Sequence, residues 1–89
     1  MVRIFVRHSV RDYNAWKRAY NAFNKERRKM GVKRHAVFRA VANPRDVTIF
    51  HDFETLTKAR KFVGSRRLKQ VMKAAGVRGA PKIWFVKAA

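Results

Sequence analysis

From Asp12 to Gly31 the chain reads D-Y-N-A-W-K-R-A-Y-N-A-F-N-K-E-R-R-K-M-G. Tyr13, Trp16, Tyr20, Phe23 and Met30 recur at three- and four-residue steps, with Ala19 and Ala22 between them. That spacing draws one apolar stripe on a helix. Asp12 stands where an N-cap belongs, and Gly31 stands where a chain leaves a helix through the left-handed region. The stripe predicts one helix over 12–31 and demands a surface to pack on. Its periodicity reads Trp16, Tyr20 and Phe23 as core rather than as walls of a ligand pocket.

The rest of the chain supplies that surface as strands. Residues 2–9 alternate, with Val2, Ile4 and Val6 on one side and Arg3, Phe5 and Arg7 on the other. Residues 34–41 and 47–53 read as a hairpin around a turn at Asn43-Pro44-Arg45-Asp46. Thr55 caps a second helix with Leu56, Ala59, Phe62 and Val63 as its buried side. Gly64-Ser65 breaks it, and Ser65 recaps a segment with Leu68, Val71, Met72 and Ala75 inward, ending at Gly76. Residues 76–81 read as a loop and 82–87 as the last strand.

The order β-α-β-β-α-β is the ferredoxin-like split arrangement, here one α+β domain over 1–89 with an antiparallel four-stranded sheet. Helices cover one face of such a sheet. Both faces carry bulky apolar residues, so alternation alone does not assign them. The open face still presents a large patch, which calls for a second subunit or a flat ligand. Phe5, Arg7, Phe50 and Trp84 are the candidates for that dimer or pocket face.

Charge is the other constraint. Lys and Arg number 23 against 5 Asp and Glu, a net charge of +18. Such a surface attracts nucleic acid, other polyanions or an anionic protein partner. Cysteine is absent, so no disulfide or thiolate site exists. No signal-like start and no apolar run of membrane-spanning length is visible, and the expectation is a soluble, cytoplasmic or recombinantly made protein.

Several segments together resemble a family: H-S-V-R-D-Y-N-A-W, V-T-I-F-H-D-F-E-T-L and S-R-R-L-K-Q-V-M-K-A-A-G-V-R-G-A-P-K-I-W-F. They are similar to small bacterial proteins of the dimeric α/β-barrel superfamily, of the antibiotic-biosynthesis-monooxygenase type. The anchors are His8, Asp12, Tyr13 and Trp16, with Gly76, Gly79 and Pro81 near the end. The resemblance implies a homodimer packed sheet to sheet as a barrel, helices outside and a pocket inside. It implies cofactor-free oxygenase or isomerase chemistry as one activity, with haem degradation known in other members. No catalytic motif spans that group, so no catalytic residue carries over.

Charge departs from that pattern. The first helix has Lys17, Arg18, Lys25, Arg27, Arg28 and Lys29 against Glu26 alone, and 56–75 holds seven bases and no acid. Arg66 and Arg67 even occupy a first turn, where the helix dipole favours acids. An ordinary fold with its exposed positions rewritten as Lys and Arg, an engineered supercharged variant, fits this distribution. A natural basic nucleic-acid-binding domain is the alternative. Lys17, Arg18, Lys25, Arg28, Lys29, Lys58, Lys61, Arg66, Lys69 and Lys73 are the expected polyanion contacts.

Sequence-specific RNA reading is disfavoured. Ile4-Phe5-Val6 suits the first-strand motif of an RRM, but the third strand, R-D-V-T-I, lacks its glycine and aromatics. His8, His35 and His51 could line a pocket; His8 and His51, with Tyr13, are candidate proton-transfer groups because imidazole titrates near neutrality. Their bland reading is as polar histidines at strand ends. Alternation sends Asp52 to the face opposite His51, leaving no metal-ligand set, and no metal or other cofactor is expected.

Overall fold

The computed structural model describes residues 1–89. Its elements are β1 (Val2–Val10), α1 (Tyr13–Ala22), α2 (Asn24–Lys29), β2 (Arg34–Ala40), β3 (Asn43–Phe53), α3 (Leu56–Val63), α4 (Arg66–Ala74) and β4 (Val77–Val86). The sheet runs β2-β3-β1-β4, with every neighbouring pair antiparallel. This is the ferredoxin-like topology with each connecting helix divided in two.

Burial along β1 settles the faces. Ile4, Val6, His8 and Val10 are buried, while Arg3, Phe5, Arg7 and Ser9 are not. Ile4 pairs with His51 and Val6 with Ile49, so those residues share the inner, helix-covered face. Two apolar clusters form there, one around Ile4, Phe53 and Phe62 and one around Val10, Trp16, Tyr20 and Val47. Phe5 pairs with Phe50 on one side and Trp84 on the other, which puts all three on the open face.

The caps form as the sequence dictates. Asp12 accepts from the Asn14 N–H at 3.0 Å, Thr55 from Lys58 at 3.2 Å and Ser65 from Leu68 at 3.1 Å. Gly31, at φ +104°, ends α2 in a two-bond stop: Val32 N–H reaches Arg27 O and Gly31 N–H reaches Arg28 O.

Four expectations need correction. The helix over 12–31 is two helices, because Phe23 tightens to φ −84°, ψ 0° and its N–H is shared between the carbonyls of Ala19 and Tyr20. The hairpin turns at Val41-Ala42 instead of 43–46: Ala40 pairs with Asn43, Arg39 with Val47, and Pro44 to Asp46 are the extra residues of a bulge between them. Asn43 still accepts from the Arg45 N–H at 3.1 Å, the local bond that made the segment look like the turn. The last strand starts at Val77, not 82, since Val77 and Arg78 pair with Val10 and Ser9 before a bulge at Gly79 to Pro81. Leu56 is 39% exposed rather than buried; Ala59 and Phe62 carry the inner side of α3.

Candidate functional site

Between the inner sheet face and the helices lies a cavity of ≈ 50 Å³. Val6, His8, Ile49 and His51 form its floor, Trp16 and Tyr20 of α1 and Arg27 of α2 one side, and Leu68, Val71 and Met72 of α4 its cover. A volume near this holds about three or four waters. No residue of α4 is fully buried. The barrel-interior pocket expected from the resemblance would lie on the open sheet face; this cavity lies on the helix side.

The floor is chemically unusual for a core. His8 and His51 are not polar strand-end residues but buried ones, carried inward by the alternation of Ile4-Val6-His8-Val10 and Val47-Ile49-His51-Phe53. His51 is 4% exposed, and neither ring nitrogen has a partner; Nδ1 of His8 also has none. Burial pushes His51 down to about 3, with the Arg27 charge and then His35 adding to it. Burial likewise holds His8 and His35 below the ordinary imidazole value. All three rings are therefore neutral at neutral pH, the form in which imidazole accepts a proton. Burial raises the Tyr20 phenol to about 12, so its hydroxyl stays protonated; it is hydrogen-bonded to Nδ1 of His35.

Arg27, one of the six bases of the 12–31 stretch, is not on the surface: it is 2% exposed. Its guanidinium lies 3.7 Å from the Tyr20 ring centroid and donates to Tyr20 O at 2.8 Å and Asn24 Oδ1 at 3.3 Å. No carboxylate pairs with it. The signal was in the stripe: Arg27 fills the gap between Phe23 and Met30 at four- and three-residue steps.

Tyr13 is not brought to the cavity. It is half-buried, 6.0 Å from the Trp16 ring, with the Arg39 guanidinium 4.0 Å over its face. No three His, Cys, Asp or Glu side chains converge as a metal-ligand set.

On the open face Phe5 stacks on Trp84 at 5.4 Å and meets Phe50 edge-on at 6.4 Å. Phe38 of β2 extends the patch and is 55% exposed; Trp84 is 43% exposed. Arg7 is held by a two-bond pair to Asp46 at 2.7 and 3.0 Å, and Arg3 by one to Asp52 at 2.7 and 3.0 Å. Those bonds hold both carboxyls below the usual carboxylate range. Of the ten expected polyanion contacts, nine are exposed. Lys17 is half-buried, bonded to Asn21 at 3.0 Å and lying over Tyr20, and Lys58 reaches Glu54 at 3.7 Å. No helix is long and apolar enough to cross a membrane.

This architecture is the antibiotic biosynthesis monooxygenase fold, a ferredoxin-like four-stranded antiparallel sheet with an open face. An antibiotic biosynthesis monooxygenase matches with a TM-score of 0.77 over 100% of this chain and 99% of its own, at 8% identity. SnoaB from Streptomyces nogalater, a cofactor-independent oxygenase, matches at 0.80 over 99% and 92%, with 12% identity. A conserved protein from Methanosarcina mazei Go1 matches at 0.78 over 99% and 92%, with 13% identity. At such identities the likeness establishes the fold. No protein-family model and no curated protein matches the sequence.

Proposed function

We propose that the cavity beneath α4 is the active site of a small cofactor-free enzyme of the oxygenase or isomerase type. One observation carries this: buried polar groups without partners stand in an otherwise apolar cavity, where a purely structural core would replace them. A C–H acid bound there would lose a proton to the neutral imidazole of His8, while His51, which resists protonation, would bond a polar group of the substrate. The resulting oxyanion would face the Arg27 guanidinium, in a site where water is scarce. Returning the proton to another carbon is isomerisation. Without a cofactor, an oxygenase must draw its electrons from the substrate. Conversion of a substrate methylene to a carbonyl by one dioxygen, with release of one water, balances in atoms and electrons. SnoaB, of the same fold, is described as a cofactor-independent oxygenase, which supports this chemistry here.

The test is oxygen uptake and solvent-deuterium exchange across a panel of single-ring enolisable ketones and hydroxyarenes. Saturable turnover that persists at high salt and falls about 100-fold or more in His51→Phe or Arg27→Met is expected. Rates equal in wild type and both variants overturn the reading.

A second reading concerns the surface, and the ion-pair inventory favours it. Only five acids oppose 23 bases, and four of the five are already paired. We infer that the exposed Lys and Arg of the helices bind nucleic acid, other polyanions or an anionic protein without sequence preference. The same distribution supports charge laid over an ordinary fold, natural or engineered; buried Arg27 stands outside that pattern. The open face supports a homodimer: its aromatics are exposed, and two of the acids neutralise arginines there, so two copies meet least repulsion on that side.

A further inference from the structure

We propose that the cavity beneath α4 takes a small planar organic carboxylate, a monoanion seated on the guanidinium of Arg27. This rests on the enzyme reading for the use of the site and adds the class of substrate.

The charge balance of the chain leads to it. All five carboxylates have assigned work elsewhere. Glu26 holds Arg67, Asp46 holds Arg7, Asp52 holds Arg3 and Arg34, Glu54 holds Lys33 and Lys58, and Asp12 caps α1. Arg27 is thus a buried cation without a counterion inside the protein. Burial depresses its affinity for the proton, but a guanidinium stays charged in any protein environment. Two protein acceptors meet it, Tyr20 O and Asn24 Oδ1, against five N–H donors on the group. An isolated buried charge is costly, and an anion that enters relieves the cost.

The chemistry of the anion follows from the surroundings. A planar guanidinium fork matches a carboxylate with two parallel bonds. One buried cation suits one negative charge; a phosphate near −2 would bring an excess into an apolar cavity. Trp16 and Tyr20, whose rings lie 5.0 Å apart, give flat walls that favour a planar body. His51, with two free ring nitrogens on the floor, can bond a polar substituent on that body. The existing space takes only a few heavy atoms, so a ring-bearing acid requires α4 to shift. That helix sits between Gly64-Ser65 and Gly76, and Arg67 is its one residue in an ion pair, a two-bond pair to Glu26 at 2.8 and 3.0 Å.

The test uses the full chain carrying Trp84→Phe, which leaves Trp16 as the only tryptophan of two. Fluorescence is followed at about 0.3 M NaCl, where diffuse surface attraction is screened. The probes are benzoate, the neutral benzamide, and inorganic phosphate. Expected is a saturable one-to-one response of Trp16 to benzoate, at least tenfold weaker binding of benzamide, and no response to phosphate. Adding Arg27→Met should weaken benzoate at least tenfold, and Arg45→Met, exposed on β3 and away from the cavity, should leave it within twofold.

Benzamide binding as tightly as benzoate overturns the proposal, as do a phosphate response equal to benzoate's and equal losses in the two arginine variants. No response to benzoate or to the smaller propionate also overturns it. Should Arg27→Met fail to fold, the benzoate-to-benzamide ratio decides alone. Benzoate binding without turnover of any panel compound upholds the carboxylate site and defeats the enzyme reading. Turnover of neutral ketones that benzoate neither binds beside nor inhibits does the reverse.

Discussion

Replacing His51 by Phe should make the protein more stable, and more so in acid than at neutrality. The His51 ring centroid lies 5.0 Å from Phe62 and 6.4 Å from Tyr20, an aromatic environment that accepts another phenyl ring. Two buried nitrogens without partners are removed, and one such group costs about 1–3 kcal/mol. A gain of about 1–3 kcal/mol at pH 7.5 follows, with each kcal/mol raising Tm by about 4–8 °C in a domain of this size.

The acid arm comes from titration. His51 titrates at about 3 in the folded chain against 6.5 when free. Below 6.5 the unfolded chain takes up the proton and the folded one does not, so wild-type stability falls as pH drops from 6.5 toward 3. At pH 5 that loss is about 2 kcal/mol, from roughly 1.4 kcal/mol per unit over 1.5 units. The variant lacks this loss, so its advantage should grow to about 3–5 kcal/mol at pH 5. His8 and His35 titrate in both proteins and cancel. Urea unfolding followed by circular dichroism at pH 7.5 and pH 5, at one ionic strength, measures both gaps. An advantage that is equal at the two pH values, or smaller at pH 5, refutes the burial argument. Loss of activity in this more stable variant would mark His51 as kept for function.

Other outcomes follow from the surface. Thermal stability should rise between low salt and about 0.15 M, where the Debye length falls to about 8 Å; a flat or falling Tm contradicts self-repulsion as a major cost. Fluorescence anisotropy on unrelated duplexes should give one affinity, a log–log salt slope of about −4 to −5 for about five phosphates met, and uniform weakening in Lys61→Ala. Tight binding to one sequence that survives about 0.5 M salt contradicts this. Light scattering at moderate salt should give twice the monomer mass, and Trp84→Glu should halve it; a monomeric wild type sinks the sheet-face dimer. Glu26→Gln should speed amide exchange in α4 more than in α3, and equal rates would mean that the Arg67 pair does not hold that helix down.

Periodic features were legible in the sequence because they repeat. The stripe Tyr13-Trp16-Tyr20-Phe23, the caps at Asp12, Thr55 and Ser65, and the glycine stops at Gly31 and Gly76 all depend on neighbours a turn away. What escaped depends on partners far along the chain. Asn43 to Asp46 has every local mark of a turn, and only its pairing with β2 and β1 makes it a bulged strand. Val77 joins β4 because Val10 is longer-range company than any local rule considers. The cavity was missed for another reason. Arg27 and His51 sit at inward positions that periodicity names correctly, but their polarity argued for solvent. A polar residue at an apolar phase was itself the mark of the site.

The two outer strands protect their free edges in different ways. β4 bulges at Gly79 to Pro81, and β2 is a short strand of seven residues, Arg34 to Ala40. An outer strand normally offers a row of free N–H and C=O groups on which a foreign strand can nucleate. Pro81 supplies no N–H and its bulge throws the β4 ladder out of step, while Arg34 and Arg39 on β2 and Arg78 and Lys82 on β4 set like charges along both margins. Backbone-to-backbone growth is therefore opposed at both margins, by charge and short length at β2 and by charge and a bulge at β4. Edge-to-edge stacking into a fibre is the association that these margins oppose.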